Sequence, residues 1–330
     1  MERFPSCRDD NAFALQFTHP DRPCVSGDFF SMKLGDLGED RLLDLLLRCL
    51  SLKNAVVVGP GDDCAVVEMH DRRKLLVLKS DCVVEGVHFL QGTNALDVGW
   101  KAMMRPLSDF AATSAVPQFA LVTLMAPEQT EVAWVKGLYR GLRRAAKLFE
   151  VGIVGGETSS TPGPIAVSTS VVGFVERDRR VSRRGGKAGD DLFVTGRLGG
   201  ALKRKHLRFI PRIVESRWLT KNFSIHAMMD LSDGLGADLP RLVRASNVGF
   251  KIEMEKLPLT RGATMNDAIS EGEDYELLFA MSRSDRIRLQ QRWTKKFPNL
   301  PLTRIGSLSQ LSTKDYQLLP RGYVHFQQSS

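Results

Sequence analysis

The stretch of residues 56–89 constrains the fold more than any other part of the chain. It contains two apolar, β-branched runs on either side of the adjacent carboxylates Asp62 and Asp63, and a third run that leads to Asp81. Runs of this kind, bounded by Gly, Pro and Asp, predict strands joined by tight turns. Carboxylates gathered at strand ends repel one another unless a cation lies between them, which suggests a divalent-metal site. The alternative is a solvated hairpin turn, where Asp is common.

The size and composition are those of a globular protein with about two domains. The chain has 330 residues, of which 43% are hydrophobic and 25% are charged. No run approaches the roughly 18 apolar residues of a membrane span, and the N-terminus lacks the apolar segment of a secretory signal. Residues 1–31 show no periodicity and predict a flexible extension, or sequence upstream of a later start at Met32.

Cysteine content and charge limit the cellular compartment and the kind of partner. The five cysteines are widely spaced and form no C-x-x-C pair, which predicts reduced thiols in a cytoplasmic protein. The net charge of +8, from 46 basic and 38 acidic residues, suits either nucleic acid or a polyphosphate ligand. The basic run 203–208 has no interleaved aromatic residues and no nucleic-acid-binding motif, so we expect no nucleic-acid partner and no membrane partner.

Alternating strand and helix patterns fill the rest of the chain and predict an α/β or α+β protein. Acidic residues followed by spaced leucines predict an amphipathic helix over residues 38–50. A helical pattern over residues 97–104 is closed by Pro106, and residues 107–109 (Leu-Ser-Asp) then predict a new helix start. Residues 231–233 repeat the Leu-Ser-Asp sequence, so we expect two similar units whose helix starts face a shared cleft.

Two further stretches bear on the site and on the domain organisation. Residues 151–160 predict a buried strand that ends in a Gly-Gly-Glu turn, which adds another carboxylate. The charged, Gly-rich stretch 177–196 is the best candidate for a domain boundary. Arg183 and its basic neighbours could reach phosphate oxygens, and an ordinary solvated loop is the alternative interpretation.

Seven carboxylates share one setting, at turns or predicted helix starts beside apolar strands: Asp62, Asp63, Asp81, Asp109, Glu157, Asp230 and Asp233. No pair of cysteines or histidines accompanies them, and an all-oxygen ligand set favours Mg²⁺ or Mn²⁺. So many carboxylates require several cations, or cations with their phosphates, which is the arrangement that phosphoryl transfer needs. Because P-loop and protein-kinase motifs are both missing, we expect a metal-dependent nucleotide enzyme of neither class.

The chain resembles the thiamine-monophosphate kinase family, in the superfamily that includes aminoimidazole-ribonucleotide synthetase. The similarity runs from about Met32 to Phe326. It is carried by eight segments: GPGDDCAVV (59–67), SDCVVEGVHF (80–89), KAMMRPLSDFAA (101–112), VGGETS (154–159), SRRGGKAGDDLFVTG (182–196), HLRFIPR (206–212), MDLSDGL (229–235) and GEDYELLF (272–279).

The resemblance implies ATP-dependent phosphorylation of thiamine monophosphate to thiamine diphosphate, by direct transfer of the γ-phosphate with several Mg²⁺ ions. It also implies a two-domain fold like that of aminoimidazole-ribonucleotide synthetase. Residues 32–178 would form an N-terminal domain that binds ATP and metal and joins a partner in a barrel, giving a homodimer. Residues 179–330 would form a C-terminal α/β domain that completes the cleft.

The resemblance also implies the site residues. The implied metal ligands are Asp63, Ser80, Asp81, Asp109, Glu157, Asp230 and Asp233. The implied ATP contacts are Gly156, Glu157, Arg183 and Ser232, and the implied substrate contacts are His88, Glu273 and Tyr323. No side chain is expected to act as a nucleophile, and Asp109 is the most critical candidate. A core histidine at position 88 and simple tail packing at position 323 are the alternatives.

Three positions depart from the family pattern. Lys79 replaces a Ser or Thr beside the metal cluster, where its ammonium could displace a metal or point away. Pro106 replaces Asn, and Glu157 replaces Asp. The segment from Thr195 to His206 is also shorter than in the family. No carboxylate is lost, so we expect activity. Alternatives are an ATP-dependent relative with another substrate, or a non-catalytic protein that binds nucleotide or thiamine phosphates.

Overall fold

The computed structural model describes residues 33–48, 50–203, 205–311, 319–320 and 322–323. The extension predicted for residues 1–31 lies outside these described residues. The chain divides into two units, one of residues 1–51 with 325–330 and one of residues 52–324. In the first unit, the described residues form helices α1 (Leu34–Leu37) and α2 (Glu39–Arg48). Helix α2 confirms the amphipathic helix predicted at residues 38–50.

The second unit begins with a six-stranded sheet and two long helices. Its elements are β1 (Val56–Val58), β2 (Ala65–Glu68), β3 (Lys74–Val84), α3 (Ala95–Ala112), β4 (Val116–Ala126), α4 (Val132–Leu148), β5 (Gly152–Ser160) and β6 (Ala166–Glu176). The strand order is β1-β2-β3-β6-β4-β5. All neighbours are antiparallel except β4 and β5. Helix α3 packs against β3 and β6, and α4 packs against α3.

Strand β3 alternates between the two faces of this sheet, as a pleated strand must. Leu75, Val77 and Val83 are buried on the face that carries α3. Leu78 and Ser80 lie on the opposite face and are exposed. The alternation therefore directs Lys79 and Asp81 to the same side as the core and α3.

The remainder of the second unit is built on a five-stranded antiparallel sheet. Its elements are β7 (Asp191–Thr195), α5 (Ile213–Asn222), β8 (Ile225–Asp230), α6 (Leu235–Ser246), β9 (Gly249–Ile252), α7 (Met265–Ser270), β10 (Leu277–Met281), α8 (Arg286–Lys296) and β11 (Leu302–Ser309). The strand order is β8-β10-β7-β11-β9. Because both sheets are mainly antiparallel, the fold is α+β rather than an alternating parallel α/β fold.

Helix α3 corrects the predicted break at Pro106. The helix runs without interruption from Ala95 to Ala112, with Pro106 inside it. Proline lacks the N–H that would bond the carbonyl of Ala102, at a cost of about 3 kcal/mol. Burial of almost the whole helix, including Leu107 and Phe110 with no exposed surface, outweighs that cost. Asp109 therefore lies in the last turn of a helix, and the prediction that residues 107–109 begin one is wrong.

Strand β5 corrects a second expectation. The strand exists where it was predicted, but most of its residues are exposed rather than buried. It lies at the edge of the six-stranded sheet and pairs with β4 alone. Apolar content alone could not distinguish an edge strand from a central one.

Among the described residues, no helix is both long enough and apolar enough to cross a bilayer.

Candidate active site

Three aspartates converge in the interior of the second unit. A carboxylate oxygen from each of Asp63, Asp109 and Asp230 lies within 4.8 Å of the others, and all three residues are buried. Asp63 comes from the turn between β1 and β2, Asp109 from the last turn of α3, and Asp230 from the end of β8. The six-stranded and five-stranded sheets thus both contribute to this aspartate cluster.

The hydrogen bonds of the aspartate cluster are incomplete. Asp63 Oδ1 accepts bonds from the Arg183 guanidinium, 2.7 Å from Nη2 and 3.2 Å from Nε. Asp230 Oδ2 accepts a bond of 2.6 Å from Ser108 Oγ. The buried Oδ2 of Asp63, however, has no hydrogen-bond partner among the described residues. A buried carboxylate oxygen without a donor, in an all-oxygen group, fits a Mg²⁺ ligand set.

Burial and the repulsion of neighbouring carboxylates disfavour the charged forms of Asp109 and Asp230. Burial raises the pKa of Asp230 to about 7, and the negative charge of Asp63 adds to the rise. Burial also raises the pKa of Asp109 well above its ordinary value, although the Lys79 charge opposes the rise. A bound cation would favour the charged forms, so the aspartate cluster is suited to binding a cation.

Lys79 points into the aspartate cluster, not away from it. Its Nζ lies 2.9 Å from Asp109 Oδ1 and 3.8 Å from Asp81 Oδ1. Asp81 and Lys79 share one face of β3, since Ser80 lies between them on the other face. The ammonium thus joins Asp81 to Asp109 at the border of the aspartate cluster.

The structure does not bring four of the predicted metal ligands, Ser80, Asp81, Glu157 and Asp233, into the aspartate cluster. Asp81 lies beside it, 3.8 Å from Lys79 Nζ. The Ser80 hydroxyl lies 2.9 Å from the Ser170 hydroxyl, on the open face of the sheet. Glu157 is exposed on β5. Asp233 pairs with the Arg241 guanidinium. Metal binding by all seven predicted ligands stays a prediction.

The predicted ATP contacts lie in separate parts of the fold, and of these Arg183 contacts the aspartate cluster. Arg183 is bonded to Asp63. Gly156 has φ +152°, and a Cβ there would lie 1.7 Å from the Val122 carbonyl oxygen, so only glycine fits. The Ser232 carbonyl accepts a bond of 2.7 Å from the Glu273 N–H, which holds the loop before α6 against the loop before β10.

The predicted substrate residue Glu273 is held by two side chains. Its Oε2 lies 2.6 Å from Lys101 Nζ and 2.8 Å from His206 Nδ1. Burial raises the Glu273 pKa, but the His206 bond and the Lys101 charge outweigh it and lower the pKa to about 2. Burial lowers the pKa of Lys101 to about 8, against the opposing charge of Glu273.

The two other predicted substrate residues are anchored through different atoms. His88 Nδ1 accepts a bond of 3.1 Å from the Val84 N–H, and its carbonyl accepts a bond of 2.6 Å from Lys101 Nζ. Tyr323 is exposed, and its N–H donates to the Asp233 carbonyl at 2.9 Å. A substrate role for each stays a prediction.

Sequence reasoning identified Lys79 and Arg183 but missed the other cations near the predicted carboxylates. Lys101, Arg105 and Asp109 are spaced four residues apart on α3, which places them on one stripe. That spacing was a readable signal. Two side chains of the basic run 203–208 also turn inward, since Lys205 Nζ lies 3.0 Å from Glu276 Oε1 and His206 contacts Glu273. No local sequence pattern predicts the Lys205–Glu276 and His206–Glu273 contacts, because the partners lie far apart in sequence.

Comparison with known proteins places this fold and site in a family. Residues 61–175 match the AIR synthase related protein, N-terminal domain, and residues 185–286 match its C-terminal domain. The chain is 34% identical over 296 residues to the thiamine-monophosphate kinase of Rhodopirellula baltica, an alignment that covers 82% of this chain and 92% of that protein. The chain belongs to the thiamine-monophosphate kinase family.

A second relative and a solved structure support the assignment over nearly the whole chain. The thiamine-monophosphate kinase of Aquifex aeolicus is also 34% identical, with 89% of this chain and 100% of that protein covered. The solved structure of AaThiL complexed with AMPPCP and TMP has a TM-score of 0.77 and 34% identity, and covers 90% of this chain and 99% of that one. The resemblance drawn from the sequence and its two-domain fold are both confirmed.

Proposed function

We propose that the chain transfers the γ-phosphate of ATP to thiamine monophosphate, which gives thiamine diphosphate and ADP. The convergence of Asp63, Asp109 and Asp230 carries the proposal, because phosphoryl transfer needs concentrated positive charge around the phosphates. Membership of the kinase family supports it. So does the solved relative AaThiL, whose complex contains AMPPCP and TMP.

The roles of individual residues follow from their chemistry. Asp63, Asp109 and Asp230 would hold Mg²⁺, which supplies charge neutralisation on the phosphates when bound. Arg183, whose Nε and Nη2 already contact Asp63 Oδ1, would bind phosphate oxygens through its remaining N–H groups. The Glu273 carboxylate stays ionised beside Lys101. It would bind the positive charge or a hydrogen-bond donor of the molecule that accepts the phosphate. The acceptor's own phosphate oxygen serves as the nucleophile, so the chain contributes positioning and electrostatics.

The test is formation of thiamine diphosphate from ATP and thiamine monophosphate with Mg²⁺. We expect product from the wild type, and at least a roughly 100-fold lower rate from Asp109→Asn. Asp178→Asn, at an exposed loop position, is the matched control and should keep the wild-type rate. Binding of ATP and thiamine monophosphate by the wild type without product would instead favour the non-catalytic binding protein. ATP binding alone would favour another substrate.

We also propose that the chain forms a homodimer through the open face of the six-stranded sheet. Leu78 and Phe119 lie in one row across the strands, on either side of Val172, and Leu121 lies in the next row. These three side chains are 38%, 50% and 50% exposed, and such a face favours association. Phe119→Asp should shift the sedimentation coefficient towards that of a monomer, whereas Val132→Asp, on exposed α4, should not.

The domain organisation and the compartment complete the proposal. The gap between the two matched family domains overlaps the stretch 177–196, which supports a boundary between domains of residues 32–178 and 179–330. The unpaired thiols of Cys64 and Cys82 support a reducing, cytoplasmic location. Limited proteolysis within residues 177–196, followed by mass spectrometry, tests the boundary.

A further inference from the structure

We propose that Lys79 is a built-in counter-ion, which takes the place of one divalent cation beside Asp81 and Asp109. The inference rests on the proposed function, because that function requires Mg²⁺ at the aspartate cluster. Four carboxylates lie in and beside this cluster, those of Asp63, Asp81, Asp109 and Asp230. The Lys79 ammonium contacts two of them, at 2.9 Å and 3.8 Å.

The position of Lys79 is fixed by the strand that carries it. Lys79 pairs with Val171 and Asp81 pairs with Thr169 across an unbroken β3–β6 register of eleven residue pairs. The side-chain exposure of Lys79 is 23% and that of Asp109 is 11%, so the pair is largely shielded from solvent. A shielded ion pair is screened weakly by salt.

An ammonium and a Mg²⁺ ion cannot share this position. Mg²⁺ demands oxygen ligands at about 2.0–2.1 Å in octahedral geometry, and a neighbouring ammonium would repel it strongly at low dielectric. Asp109 Oδ1 is already bonded to Lys79, whereas the buried Asp63 Oδ2 has no partner in the described chain. Metal binding is therefore directed to the other carboxylate oxygens of the aspartate cluster, among them Asp63 Oδ2.

The experiment counts bound Mn²⁺ by electron paramagnetic resonance, with and without AMPPCP. We expect Lys79→Thr to bind one more Mn²⁺ per chain than the wild type, and Lys136→Thr, on the exposed face of α4, to match the wild type. Lys79→Thr should also melt at a lower temperature without metal and regain that loss with Mn²⁺. Equal stoichiometry in wild type and Lys79→Thr would overturn the inference. Absence of thiamine diphosphate from the wild type would overturn the proposed function alone.

A different observation assigns a role to Arg105. Its Nε and Nη1 are buried and have no hydrogen-bond partner among the described residues. Buried guanidinium donors without acceptors are costly. Arg105 lies one turn from Lys101 and one turn from Asp109, on the same stripe of α3. It therefore stands between the Lys101–Glu273 pair and the aspartate cluster.

The geometry points to Arg105 as an anchor for the phosphate monoester of the acceptor. The negative charges of Asp81, Asp109 and Glu273 lie near Arg105. Asp81 and Asp109 contact Lys79, and Glu273 contacts Lys101. Asp109 is also one of the candidate metal ligands. An anion bound between the Lys101–Glu273 pair and the aspartate cluster would supply the hydrogen-bond acceptors that Arg105 lacks. This assignment also rests on the proposed acceptor, thiamine monophosphate.

Calorimetric titration of thiamine monophosphate and of thiamine tests this anchor. Arg105→Met should weaken binding of thiamine monophosphate at least tenfold and leave binding of thiamine unchanged, since thiamine has no phosphate. Arg105→Lys should recover part of the loss, and Arg143→Met, on exposed α4, should lose nothing. Equal losses for both ligands, or none, would overturn the anchor. Failure of the wild type to bind thiamine monophosphate would overturn the acceptor and the anchor together.

Discussion

Two groups of buried acidic residues in the second unit differ in how completely their charge is satisfied. Glu276 receives two bonds of 2.7 Å from Arg212, one of 3.0 Å from Lys205 and one of 2.9 Å from Thr195. In the aspartate cluster, Asp63 Oδ2 receives none in the described chain. The saturated group stabilises the fold, whereas the unsaturated one is suited to a ligand. Burial of a carboxylate alone therefore does not distinguish a structural group from a site.

The largest expected effect is on activity, at the unsaturated group. Asp230→Asn should lower the rate of thiamine diphosphate formation by roughly 10²–10³-fold, because one charged ligand to the metal is lost. Thermal unfolding without metal should be unchanged or shifted upwards, since a repelling charge is removed while the amide can still bond Ser108. A marked loss of metal-free stability would place Asp230 with the structural acids and remove the contrast.

The next effect is on stability, at the saturated group. Glu276→Gln should lower the free energy of unfolding by about 3 kcal/mol, because Arg212 and Lys205 lose their nearest carboxylate and keep only longer contacts with Glu215 and Asp274. Activity per folded molecule should remain near that of the wild type. Chemical denaturation measured by circular dichroism gives the first quantity and a turnover assay gives the second. Loss of activity without loss of stability would show that Glu276 belongs to the site.

A smaller effect is expected where a salt bridge is partly open to solvent. Arg217 donates two bonds to Glu176, the largest cause of a Glu176 pKa of about 2, against an ordinary value of 4.5. Because the folded-state pKa is lowered, the stabilisation is present above about pH 4.5 and is lost as the pH falls towards 2. Solvent screening limits it to about 1 kcal/mol. Unfolding of wild type and Glu176→Gln should therefore differ at pH 7 and converge near pH 2, and a constant difference would contradict the assignment.

The smallest effect is expected at the surface. Glu68 pairs with Arg177 with both side chains more than 40% exposed. Glu68→Gln should leave the free energy of unfolding unchanged within error at pH 7, because exposed ion pairs contribute little. The same denaturation measurement serves as the baseline for the three larger effects. A loss comparable to that of Glu276→Gln would show that saturation and burial are not the properties that separate these groups.

The positions of most strands and of two of the three clustered aspartates could be predicted for a simple physical reason. Asp63 and Asp230 directly flank apolar strands, so local composition determines where each strand ends and which residue type comes next. Helix α3 was misread because Pro106 is a strong local signal that tertiary burial outweighs. The partners of Glu273 could not be predicted, since Lys101 and His206 lie far away in sequence. Secondary structure could thus be predicted in large part from local sequence, whereas the ion-pair partners depend on tertiary packing.

The alternation of β3 also makes the active site sensitive to chain length in a way that point substitutions do not reveal. A deletion of one residue within β3 before Lys79 would turn Lys79 and Asp81 to the outer face and bring Ser80 inward. A deletion of two residues would restore the original sides. Functional descendants of this sequence should therefore tolerate paired length changes in β3 far better than single ones. Whether β3 has changed length by an odd or an even number of residues then matters to this site as much as which residues it contains.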